Sequence, residues 1–219
     1  MKLGVLALPG KRGRERGPEA MWTLALGLAL FVAPHSVRWV APGFREAAIG
    51  RIGEGSWKGL YALVSLGGLM LVGRGWGEAE RTLLYGPVPG ATTLLLVLMP
   101  LLLIALVAGN LPAGRIRRAL RHPMMAATFL WALLHLAVNG DAAAVLLFGV
   151  LAAWSGLTLQ ALLRRERAAA LGPHGAMPPA EGVPLPWWPD IAAVAVGVAL
   201  YVWLVLQGHA WLFGVSPVG

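Results

Sequence analysis

Cysteine is absent from the chain, which excludes disulfides, thiolate metal centres, a cysteine nucleophile and covalent C-x-x-C-H haem attachment. Charge is scarce: 13% of the residues are Asp, Glu, Lys or Arg, against roughly a quarter in a soluble domain. That scarcity excludes a disordered chain and an ordinary cytosolic enzyme. Amides are rarer still, with Asn110, Asn139, Gln160 and Gln207 the full set, and Arg outnumbers Lys 15 to 3. The amide bias suits a thermophile and a GC-rich genome equally. No pair of carboxylates lies inside an apolar run, so proton-relay pumps and acid–base dyads find no support. What is present is apolar surface, 58% of the 219 residues, with a mean hydropathy of +0.69. The composition predicts an all-α, polytopic transmembrane helix bundle.

Six runs approach the length needed to cross about 30 Å of hydrocarbon. They are Met21–Val40, Trp57–Trp76, Ala91–Leu111, Pro123–Val138, Ala142–Leu163 and Trp188–Phe213. The fourth is short and depends on its flanks. Trp22, Trp39, Trp57, Trp76, Trp187, Trp188 and Trp211 sit near run ends, where an indole matches the headgroup zone. The net charge of +8 does not signal nucleic-acid binding, because the basic residues fall in short clusters between apolar runs. Segments 38–58, 112–122 and 164–188 carry 4, 4 and 3 of them, and the opposite side carries 2 in 74–90 and 5 in 1–20. Residues 1–20 lack an apolar core for a signal peptide, so Met21 is the expected start, with 1–20 an over-extended reading frame or a tail. The three basic loops are then cytoplasmic, both termini face outside, and the protein is a multi-pass component of the inner (plasma) membrane. The expected organisation is a transmembrane domain over 21–167, a Pro/Gly-rich linker over 168–188, and a peripheral C-terminal helix with its tail over 189–219.

Ionisable groups inside spanning runs default to functional candidates. His35 follows the kinking Pro34 late in the first run, with Arg38 three residues on and on the same face. His135 lies in the fourth run, with Trp131 one turn before and Asn139 one turn after; Asn139 or a metal would satisfy its ring. Asn139-Gly140-Asp141 forms a tight turn in which Asp141 caps the next helix. His122, in Arg121-His122-Pro123, marks the membrane edge beside Arg115, Arg117, Arg118 and Arg121, either a topological anchor or a cationic shelf for phosphate or propionate. His174 and His209 lack polar company and read as incidental. Gly67, Gly68, Gly73 and Gly75 are placed to let helices pack closely.

Two histidines on separate helices, without cysteine or a buried acid, fall short of a zinc hydrolase, which wants three ligands and a base. Haem b needs only two imidazoles across an apolar slot, with basic residues such as Arg38 and Arg121 at the edge for its propionates. Depth complicates the pairing. His35 lies about 8 Å and His135 about 20 Å above the basic edge, whereas two axial nitrogens on one iron stand about 4 Å apart. His122 lies at the edge itself, leaving His35 between the other two.

The segments His35-Ser36-Val37-Arg38, Gly53-Glu54 with Trp57-Lys58-Gly59-Leu60-Tyr61, Arg121-His122-Pro123, and Leu130-Trp131-Ala132-Leu133-Leu134-His135-Leu136 with Asn139-Gly140-Asp141 resemble the NnrU family, in order from Met21 to about Arg167. The family name derives from proteins associated with nitrite and nitric oxide reduction in denitrifying bacteria, and its relatives resemble 15-cis-zeta-carotene isomerase, a membrane haem b enzyme. The resemblance implies haem b, His35 and His135 as axial iron ligands, His122 as an accessory or exchangeable ligand, and an apolar polyene (carotenoid) or isoprenoid substrate undergoing cis–trans isomerisation. The absence of cysteine removes one alternative iron ligand. No catalytic residue is identified beyond the ligands, and the redox or respiratory partner stays unnamed.

Two rivals share these residues. Arg121-His122-Pro123 also resembles the triplet that opens the S-adenosylmethionine region of membrane methyltransferases, although the paired glutamates expected after the next helix reduce here to Glu166 alone. A non-catalytic membrane factor for nitrogen-oxide respiration is the other. The topology is directly testable: a reporter active only in the cytoplasm should be silent when fused after Gly219 and active when inserted in the 112–122 loop.

Overall fold

A computed structural model describes residues 18–171 and 185–218. These residues are overwhelmingly α-helical, with one isolated bridge, Leu83 to Asp141, outside the helices. The six apolar runs become α1 (Pro18–Val40), α3 (Glu54–Glu78), α4 (Ala91–Asn110), α6 (Pro123–Val138), α7 (Ala142–Leu171) and α8 (Trp188–Trp203). A π-helical turn, Leu204–Gly208, carries α8 on into α9 (His209–Phe213). Five of these spans are long and apolar enough to cross a membrane. The sixth, α6, has 16 residues and reaches about 24 Å.

Two short helices lie in the basic loops, where the apolar pattern gave no sign of them. Pro42 opens α2 (Pro42–Ile52), as suits a residue without an amide donor at a first helical position, and Gly53 closes it at φ 83°. Arg115–Leu120 forms α5. Helix α7 also runs past the expected start of the linker to Leu171, because Arg, Glu, Ala and Leu sustain a helix where hydropathy has already fallen. Residues 172–184 of the expected linker, His174 within them, and residues 1–17 lie outside the described residues.

The helices pack in the order α3, α1, α7, α6, α4, α8, each chiefly against the next. Lipid tails are as apolar as leucine, so burial of apolar surface does not drive this packing; close backbone approach does. A Cβ on Gly68 would stand 2.7 Å from the Phe31 amide nitrogen, and one on Gly27 would stand 2.5 Å from that of Val72. Gly75 meets Leu24 in the same way, whereas Gly67 and Gly73 face open space. The same device recurs where Gly109 meets Met124 and Gly197 meets Ile104, and Gly156 makes room for the Phe129 ring. Most of the buried hydrophobic residues are alanines, while Leu63, Leu66, Met70, Val97, Leu101 and Leu206 point outward.

Each end of the row has its own fastening. At the less basic end, the loop after α3 folds over the turn between α6 and α7: Leu84 and Val88 donate amides to Gly140 and Ala137 at 2.8 and 2.9 Å. The Tyr85 hydroxyl donates to the Leu136 carbonyl at 2.5 Å. Arg81 pairs with Asp141 at 3.2 Å and lies 3.9 Å over the Trp76 ring. Asp141 also accepts the Ala144 amide at 3.0 Å, the cap expected for α7. Trp76 is thereby partly buried against Phe148. At the basic end, the Asp190 carboxylate accepts the amides of Arg115 and Ile116 at 2.9 and 3.0 Å, which ties α8 to α5.

Gly68→Val should lower the thermal unfolding midpoint in detergent, because overpacking a close contact costs about 1–3 kcal/mol. Gly67→Val should leave the midpoint in place. Circular dichroism on the two variants separates a specific backbone contact from a general effect of helix composition.

Candidate functional site

The first cluster lies where α1, α3 and α7 meet. The imidazole of His35 is packed among Phe31, Tyr61 and Trp154, with ring centroids 4.5, 5.0 and 5.8 Å away. Its Nδ1 bonds the Phe31 carbonyl, one turn back, at 2.6 Å. A ring that donates from Nδ1 to a backbone carbonyl presents its Nε2 lone pair outward, the arrangement of a metal-binding imidazole. No hydrogen bond reaches that Nε2 among the described residues. The same three helices hold four buried polar atoms without partners: Trp39 Nε1, Ser65 Oγ, Trp154 Nε1 and Thr158 Oγ1. Each lies one turn from a ring of the cage or belongs to it: Trp39 follows His35 by four residues, Ser65 follows Tyr61, and Thr158 follows Trp154. Buried polar groups are ordinarily satisfied, and four exceptions on three adjoining helices fit a polar guest.

His135 occupies a different environment. It is 8% exposed, lies 4.8 Å from both the Trp131 and the Phe148 rings, and bonds the Trp131 carbonyl through Nδ1 at 2.9 Å. Asn139, expected to serve this ring, instead donates its side-chain amide to the His135 backbone carbonyl at 2.9 Å. The surroundings are the alanine-rich packing of Ala132, Ala144 and Ala152. Both histidines therefore use one local device, a bond to the carbonyl four residues earlier, but they do not touch each other. Helix α7 serves as a ruler between them: His35 meets it at Trp154 and His135 at Phe148, six residues or about 9 Å along the axis. The depth offset anticipated from the sequence persists in the fold.

The third site lies at the basic end. His122 donates its amide to the Leu120 carbonyl at 2.6 Å around Arg121 at φ 56°, ψ −61°. This is a γ-turn in a region that L-residues rarely occupy. The turn aims two neighbouring side chains at one carboxylate. Arg121 approaches Glu166 at 3.5 Å, and His122 Nε2 lies 2.9 Å from the other Glu166 oxygen, though outside the angle of an aligned hydrogen bond. Arg38 is exposed near the end of α1. Glu166 was visible in the sequence only as a lone acid among arginines. Its meeting with Arg121 and His122, 45 and 44 residues earlier, follows from the antiparallel packing of α6 on α7.

His209, expected to be incidental, follows the π-helical turn and bonds the Val215 carbonyl through Nδ1 at 2.7 Å. No group of three or more His, Asp or Glu side chains that could hold a metal ion occurs among the described residues. A cofactor that brings its own equatorial ligands escapes that requirement, since haem iron asks the protein for one or two axial groups. As separate ligands the imidazoles of His35 and His135 fit such a group. As a pair on one iron they do not, in this packing.

A family model described as NnrU protein matches residues 23–217, nearly the whole chain and including the C-terminal helix. No curated protein and no solved structure matches it. With five spans apolar enough for a bilayer and a match of that extent, this chain is an integral membrane protein that belongs to the NnrU family.

Proposed function

We propose that this protein binds haem b at the junction of α1, α3 and α7, with His35 as the axial imidazole, and that it acts on an apolar polyene by cis–trans isomerisation. The observation that carries the reading is a histidine whose Nδ1 is already anchored, at the meeting of three helices that also hold four unpartnered buried polar atoms. His35 Nδ1 holds the ring against α1, so its Nε2 has a fixed direction. Phe31, Tyr61 and Trp154 pack their rings around it, and Arg38, one turn nearer the basic end, is the nearest cation on the same helix face for a propionate. When bound, ferrous haem would supply an electron-rich centre able to lower the bond order of a conjugated double bond. Such chemistry asks for no acid or base. His135, with the same Nδ1 anchor, meets α7 about 9 Å further along and would not hold the same group in this packing. The protein would sit in the inner (plasma) membrane with its basic end in the cytoplasm, as the distribution of arginines favours.

A second reading has one observation in its favour. The Arg121-His122-Pro123 triplet and the lone Glu166 resemble elements of membrane methyltransferases, and here they meet. Saturable binding of S-adenosylmethionine to the purified protein, abolished by Glu166→Gln, would support it over the haem reading.

The visible spectrum of protein expressed with haem precursor tests the first reading. A Soret band, with sharp ferrous α and β bands after dithionite, is expected. His35→Ala should lose most of that absorbance with helical content unchanged, and His135→Ala should retain it. Full retention by His35→Ala would overturn the ligand assignment. A colourless wild-type protein would overturn the cofactor and leave the methyltransferase and the respiratory membrane factor ahead.

A further inference from the structure

Along the flank where α7 meets α6, at the basic end, lies a cavity of about 360 Å³ lined by Phe129 of α6 and by Gly156, Leu159, Gln160, Leu163, Arg164 and Arg167 of α7. The α7 residues recur every three or four positions and so form one face of the helix. That face is graded. Gly156 leaves space beneath the Phe129 ring, 3.0 Å from where its Cβ would be. Leu159 and Leu163 continue the apolar floor, and Gln160 adds an amide one turn, about 6 Å, above Arg164. Arg164 and Arg167 close the lower end.

Several arginines at this end are already engaged. Arg165 reaches the Trp39 carbonyl at 3.5 Å, Arg121 is engaged by Glu166, and Arg115 lies over the Trp187 ring at 3.2 Å. Arg164 and Arg167 have no ion pair or hydrogen bond among the described residues, and they stand i, i+3 on the same flank. Topology alone asks only for positive charge near the membrane edge. It does not ask for two unpaired guanidinium groups at the mouth of an apolar groove.

We propose that this groove binds an anionic phospholipid, its phosphate between Arg164 and Arg167 and one acyl chain over Leu163, Leu159 and Gly156 against Phe129. Guanidinium groups match phosphate oxygens in pairs, and two of them at the rim oppose the cation of a zwitterionic headgroup, so the charge selects an anionic one. The depth of the groove selects an amphiphile over a free anion. Gln160 stands at the level of the glycerol ester, where its amide can donate a hydrogen bond. The site is independent of the haem reading, because it faces α6 and lies apart from the His35 cage.

The test uses the full chain, purified in a nonionic detergent and stripped of lipid, titrated with dioleoyl phosphatidylglycerol, dioleoyl phosphatidylcholine or inorganic phosphate. Thermal unfolding is followed by far-ultraviolet circular dichroism. Phosphatidylglycerol is expected to raise the midpoint saturably by about 5 °C, and the other two to leave it unchanged. The doubly substituted Arg164→Gln/Arg167→Gln protein should lose the shift. Leu163→Trp, which fills the groove and keeps both arginines, should lose it too, and it serves alone if the double variant is poorly folded. An equal shift with phosphatidylcholine would overturn the charge selection. An equal shift with inorganic phosphate would overturn the role of the groove, and a shift retained in both variants would overturn the location.

Discussion

Helices in hydrocarbon gain little by covering leucine with leucine, so the architecture depends on how closely their backbones can come. The α1–α3 contact shows the constraint at its tightest, with Gly27, Gly68 and Gly75 each placed where a single Cβ would meet the opposite main chain. Alanine does the same work less sharply in the buried faces of α4, α6 and α7. The large apolar side chains are turned outward, the reverse of a soluble core.

That contact rule also decides what the histidines can do. Tight packing of α1 on α3 brings Tyr61 beside His35, and α7 adds the ring of Trp154. His135 reaches α7 from the other flank, nearer the opposite end, and is packed among alanines and aromatic rings. Two residues of the same type, with the same backbone anchor, are thereby given different surroundings. The contrast comes from the neighbouring helices, since each ring makes the same bond within its own.

The six spans were legible in the sequence because hydropathy reports burial in lipid directly, and the capping role of Asp141 was legible because it is local. What escaped was settled by contacts between distant segments or by short polar helices. Nothing in the spacing of Gly67, Gly68, Gly73 and Gly75 distinguishes the two that touch α1 from the two that do not; the rotation of α3 decides it. That Arg81 and Phe148 would hold the Trp76 ring was likewise not visible in its place at a run end. The partner of the Arg121-His122 pair could not be read from a lone Glu166 some 45 residues away, and the γ-turn that aims both side chains has no sequence signature. Helices α2 and α5 carry too little apolar surface to announce themselves.

The sequential packing of α3, α1, α7, α6, α4 and α8 has one more consequence. A closed ring of helices would have an inside, and any solute would need a portal through its wall. A row has two sides and no inside. A hydrophobic molecule already dissolved in the bilayer can approach either side by two-dimensional diffusion, at any depth, without crossing water. Capture then depends on which crevice suits its shape and charge, and departure needs no door to open.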